Sequence, residues 1–174
     1  NGEENWYYGQ REKATGAITD LDGDAQYAKN GEFYLQGAET YMRSGKRYTH
    51  PSNNYDAIKA FEAPKDGTVQ ASFWAEKYAT NVGNVGISIL KNAQKVWPEQ
   101  ADYEILSTGE ELTGEILLDV KKGDRIQFVL DSVNGEASDA TCLEPTVRYL
   151  DDFRITNASI SGPEHIRVEN GQAK

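Results

Sequence analysis

The chain has 174 residues, 18 basic against 28 acidic side chains, a formal net charge of −10 and one cysteine. That length suits one domain with a real hydrophobic core and is short for two, while the acidic surface field repels nucleic acid and anionic membranes. A lone Cys142 rules out an internal disulfide or a cysteine metal cluster and reads as a small buried residue, and the lack of any long apolar run rules out a transmembrane helix.

Sixteen glycines and ten tyrosines suit short strands joined by tight turns. The first residue is Asn, with no basic-then-apolar leader, so the chain is expected to begin after any export signal. Residues 6–8 form the first strand candidate. Asp20, Asp22 and Asp24 follow in a turn containing Gly23, at a spacing that lets hard oxygen ligands converge on Ca2+. The match to a calcium loop is incomplete, because glycine does not follow the third acidic position and no distant bidentate Glu closes it. A structural Ca2+ and a plain acidic turn both stay open, and no cofactor is required.

Residues 32–36 give the next strand. Tyr41-Met42-Arg43-Ser44-Gly45-Lys46-Arg47-Tyr48 is the densest basic stretch of an acidic chain. A loop carrying Arg43, Arg47 and Tyr48, with Tyr41, can fork onto the carboxylate of an acidic sugar; the alternative is a solvated loop whose cations balance nearby acids. Residues 57–62 form another strand. Then the clearest period of two begins: Val69, Ala71 and Phe73 alternate with Gln70, Ser72 and Trp74, and Val85, Ile87 and Ile89 with Gly86, Ser88 and Leu90. Both segments read as half-buried strands.

If Phe73 faces the core, Trp74 faces away from it. An outward Trp is either a platform for the C–H face of a sugar ring or an apolar patch covered by a loop or the N-terminal segment. Tyr78 falls at the rim of the same surface. Residues 94–97 form a further strand. Ile116, Leu118 and Val120 alternate up to the turn Lys121-Lys122-Gly123-Asp124, and the pattern resumes at Ile126, Phe128 and Leu130, which reads as a hairpin. Asp139 and Thr141 read as a hydrogen-bonding loop pair. Residues 146–155 give the final strand, and Asn157-Ala158-Ser159 fits a glycosylation triplet of little meaning in a bacterial protein.

Many short strands without a long amphipathic helix indicate an all-β fold, an antiparallel two-sheet β-sandwich that is jelly-roll-like. Residues 1–156 are assigned to it. Residues 157–174 read as a linker or the start of a following immunoglobulin-like domain.

A resemblance adds to this reading. His50-Pro51, Ala57-Ile58, Ala63-Pro64 before Asp66-Gly67, Gly86-Ile87 through Lys91-Asn92, Val96-Trp97, Lys122-Gly123-Asp124-Arg125-Ile126 through Phe128, and Asp139-Ala140-Thr141 with Pro145 and Tyr149 recur in order, and Trp6-Tyr7-Tyr8 fits as well. In these pieces the chain resembles β-sandwich accessory modules of bacterial glycoside hydrolases and polysaccharide lyases. The resemblance implies carbohydrate binding, and some such modules sit on xanthan-degrading enzymes. The matching residues support the fold more than a site, so Trp6, Trp97, Phe128 and Tyr149 are assigned to the core.

Catalysis has little support, since only His50 and His165 are present and no recognised nucleophile or metal motif occurs, although sequence cannot exclude a carboxylate pair. The expectation is a secreted or cell-surface, monomeric, non-catalytic carbohydrate-binding module. Its candidate contacts are Trp74, Tyr78, Tyr41, Arg43, Arg47 and Tyr48; its partners are a polysaccharide or oligosaccharide and the other domains of its own chain. The alternative is a structural spacer or adhesion sandwich without sugar binding.

Overall fold

The structure is a computed structural model that describes residues 4–29, 31–78, 83–133, 135 and 137–150, with the backbone of 168–169 and 172–173. Its strands form two antiparallel sheets. The first sheet runs β10 (Gln94–Trp97), β9 (Asn84–Lys91), β13 (Arg125–Ser132), β7 (Tyr55–Glu62), β1 (Trp6–Glu12) and β2 (Ile18–Asp20), with β11 (Glu104–Ser107) sharing the β9 edge with β10. The second runs β12 (Glu111–Val120), β8 (Gly67–Lys77), β14 (Thr141–Tyr149), β6 (Tyr48–His50), β5 (Arg43–Ser44), β4 (Phe33–Gln36) and β3 (Gln26–Tyr27). Two short strands, β15 (Val168–Glu169) and β16 (Gln172–Ala173), pair with each other. The assignment of 157–174 otherwise lies outside the described residues, as does the part of the expected last strand beyond residue 150.

The sandwich core follows from the alternation. Val69, Ala71 and Phe73 of the second sheet meet Ile87, Ile89 and Phe128 of the first in one buried cluster. Trp6 packs on Phe61 and Phe128, and Trp97 meets Phe73 edge-on at 5.2 Å. Tyr149 is buried with its hydroxyl donating to the Lys65 carbonyl. All four aromatics assigned to the core are therefore in it or against it. Among the described residues no helix is long and apolar enough to cross a membrane.

Two expectations are corrected. Residues 116–130 are not a hairpin: β12 pairs with β8 in the second sheet, whereas β13 pairs with β7 and β9 in the first. The turn at Lys121–Asp124, with Gly123 at φ 88°, carries the chain from one sheet to the other. The alternation marks the core-facing side of each strand and is blind to the partner. A tight hairpin joins β9 and β10 instead, where Asn92 and Ala93 both take positive φ. Second, β9 is not half-buried but buried on both faces, because the Tyr103 ring lies over Gly86 on its outward side.

Candidate functional site

The second sheet turns Gln70, Ser72, Trp74 and Glu76 of β8 outward, since the intervening Ala71, Phe73 and Ala75 are buried. Trp74 is half-buried there, between Thr113 on β12 and Glu144 on β14, and its indole N–H donates to Glu111 at 3.1 Å. Beside it opens a depression of about 510 Å³ lined by Ser72, Thr113, Glu115 and Gly114, with Phe73 and Trp97 below. Trp74→Ala is expected to weaken polysaccharide binding by roughly 1–3 kcal/mol with little change in melting temperature; the reverse outcome, a large thermal loss with unchanged binding, would make it a packing residue.

Tyr78 continues this face and begins a row of rings that crosses the sheet. It stacks on Tyr48 at 6.1 Å and 15°, Tyr48 meets Tyr34 at 5.6 Å, and the Arg43 guanidinium lies 5.0 Å from the Tyr34 ring and 5.7 Å from the Tyr41 ring. Tyr41 in turn stacks on His50 at 5.6 Å. The strand register explains the row. Cys142 on β14 pairs with Tyr48 on one side and Glu76 on the other, and its small, buried side chain leaves room between the two tyrosines flanking β14. The Tyr78 hydroxyl donates to Glu32 at 2.7 Å; burial first, and then this hydrogen bond, push it above the ordinary phenol range, so it stays protonated.

The structure brings Tyr41, Arg43, Tyr48 and Tyr78 together but separates the two arginines in chemistry. Arg43 and Tyr48 lie in β5 and β6 rather than in one loop, with residues 45–47 as the connection. Met42, just before Arg43, is fully buried, which anchors the segment to the core. Arg47 is half-exposed and paired with Glu144, with Glu32 at 3.8 Å. Arg43 has no ion pair among the described residues; its Nη1 donates to the Tyr48 hydroxyl at 3.4 Å, and its buried Nε has no hydrogen-bond partner. Stacked between two rings and without an ion pair among the described residues, Arg43 is a cation this face leaves available.

Sequence reasoning missed Tyr34 and His50. Tyr34 was legible in principle, because Leu35 faces the core and its neighbour must then face out. Asp20, Asp22 and Asp24 are not gathered. Asp20 turns both carboxylate oxygens to the Arg125 fork at 2.9 Å, and among the described residues no group of three His, Cys, Asp or Glu side chains is placed to hold a metal. Thr141 donates to the Asp139 carbonyl at 2.8 Å, and the buried Asp139 faces the Lys77 ammonium at 3.5 Å.

No protein-family model matches the chain, and no curated protein does. The solved structures it is similar to include family 35 carbohydrate-binding modules. One from Clostridium thermocellum is 11% identical with a TM-score of 0.39, over 71% of this chain and 85% of that one. Another, from an environmental isolate, is 12% identical with a TM-score of 0.38, over 80% and 96%. A third, in complex with a glucuronic acid containing disaccharide, is 14% identical with a TM-score of 0.36, over 80% and 96%.

Proposed function

We propose that this domain is a non-catalytic carbohydrate-binding module whose second-sheet face grips an acidic polysaccharide, xanthan being one such polymer, and so holds an appended glycoside hydrolase or polysaccharide lyase on its substrate outside the cell. The observation that carries this reading is Arg43, an arginine held between Tyr34 and Tyr41 without a carboxylate partner. Flat rings take the C–H face of a pyranose, and a guanidinium beside them takes two carboxylate oxygens at once. Net repulsion from the acidic chain is screened beyond roughly 8 Å at physiological salt, so the local cation governs contact.

Against an enzyme stands the carboxylate pair Asp56 and Asp131. Asp56 is fully buried and bound to Arg11 at 2.6 Å and Lys13 at 3.5 Å, so it cannot reach a glycosidic bond. The two carboxyls also interact directly, whereas glycosidases separate theirs by roughly 5–9.5 Å.

Affinity electrophoresis against xanthan and its carboxyl-reduced form tests the proposal. Arg43→Ala should cost roughly tenfold or more against the acidic polymer and little against the reduced one, whereas Arg47→Ala, already neutralised by Glu144, should cost less. Equal affinity of the native domain for both polymers, or no effect of Arg43→Ala, would return this face to a solvated surface and favour a spacer.

A further inference from the structure

The opposite face of the sandwich carries a second polar hollow. Between the 98–103 loop and the outward side of β9, β13 and β1 lies a trough of about 340 Å³, lined by Arg11, Ser88, Leu90, Asp102, Tyr103 and Asp131, with Lys95 at its edge. That volume lies in the roughly 300–1,000 Å³ range of small-molecule sites. One wall is braced: the Tyr103 ring lies flat against Gly86, where any Cβ would come within 2.6 Å of it, and Lys95 donates to the Pro98 and Ala101 carbonyls and pins the loop. The other wall is the Arg11–Asp56 pair with Lys13 and Asp131.

Among the described residues several polar groups inside this frame have no partner. Ser88 is 6% exposed and lines the trough, yet among the described residues its hydroxyl makes no hydrogen bond. Opening into the trough, that hydroxyl is free to donate to and accept from a ligand seated there. Arg11 lines the trough and uses Nε and Nη2 on Asp56, leaving Nη1 without a hydrogen bond among the described residues. Among the described residues Asp102 has neither ion pair nor hydrogen bond, and the Tyr103 hydroxyl is likewise without one; both line the trough. The lining charges cancel, two cations (Arg11, Lys95) against two carboxylates (Asp102, Asp131). Free donors, free acceptors, an aromatic ring and no net charge match one ligand chemistry, a molecule rich in hydroxyl groups and uncharged.

We infer that this trough is a second saccharide site, selective for a neutral pyranose unit, on the face opposite the Arg43 row. The inference rests on reading the domain as a sugar binder but uses none of the same residues. A hydroxyl pair of the sugar bridges Asp102 and the Arg11 Nη1, another meets Ser88, and the ring lies along Tyr103.

Chemical-shift mapping of the 15N-labelled domain with cellobiose, xylobiose, mannobiose, galactobiose and glucuronic acid tests it. A neutral disaccharide should shift the amides of Ser88, Asp102 and Tyr103 saturably, and the shifts should persist in the Arg43→Ala protein. Ser88→Val and Asp102→Ala should each weaken that binding roughly fivefold or more, as expected for one lost hydrogen bond, with the melting temperature held as a control for folding. Failure of all four neutral disaccharides to shift these amides, shifts indifferent to both substitutions, or tighter binding of glucuronic acid there would overturn the inference. The two sites fail separately: loss of acidic-polymer binding with the trough shifts intact would sink only the proposed function.

Discussion

Lys59→Met is expected to lower folding stability by about 2 kcal/mol near pH 6 and by progressively more as the pH rises to 9. Lys59 is 1% exposed and points from β7 across the sandwich core. Its ammonium donates to the backbone carbonyls of Lys46, Arg47 and Leu143, so it ties the first sheet to the β5–β6 turn and to β14. Methionine fills the space but leaves three buried acceptors unmet. Burial lowers the Lys59 pKa to about 7, from an unfolded value of roughly 10.4. Between these values the unfolded chain holds a proton that the folded one lacks, so this residue's contribution is present above the unfolded value and is lost as pH falls through the folded one. Native stability should gain up to about 1.4 kcal/mol per pH unit in that window, and the methionine variant should not. Denaturant unfolding at pH 6, 7.5 and 9 reads the difference directly. A variant as stable as the native protein, or a gap that stays flat with pH, would show that the amine is dispensable.

Gly114→Val should cost about 3 kcal/mol and Gly114→Ala about 2 kcal/mol, because neither can be accommodated without moving two rings. A Cβ at Gly114 would sit 2.5 Å from Phe73 and 2.7 Å from Trp97. Those rings already meet edge-on at 5.2 Å, and Phe73 is buried, so neither can swing aside freely. On the scale of about 2–4 °C per kcal/mol for a domain of this size, valine should lower the melting temperature by roughly 6–12 °C. An unchanged melting temperature would mean that β12 lifts away from the core at no cost.

The layers of this fold were legible because the period of two is strong where one face meets the core, as along Val69–Phe73. Pairing was not. The segment from Ile116 to Leu130 shows the same alternation on both sides of a turn whether the second strand folds back beside the first or crosses to the other sheet. The same limit applies to the site. The alternation points Trp74 outward, and the sequence contrast singles out Arg43. It cannot show that Cys142 brings Tyr48 and Tyr78 into contact, nor that Glu144 claims Arg47 and leaves Arg43 unpaired, since these depend on register between segments about a hundred residues apart. Nor could sequence show that Asp20 meets the Arg125 fork, 105 positions away.

The place of β14 in the second sheet has a consequence for biosynthesis. It is central, with β8 and β12 on one side and β6 to β3 on the other, yet it comes late in the chain. Until residues 141–149 are translated, the two halves of that sheet have no shared neighbour, and Tyr78 and Tyr48 have no strand to hold them side by side. A nascent chain would therefore leave the ribosome with its β8–β12 and β3–β6 segments uncoupled, closing the second sheet only once β14 is made.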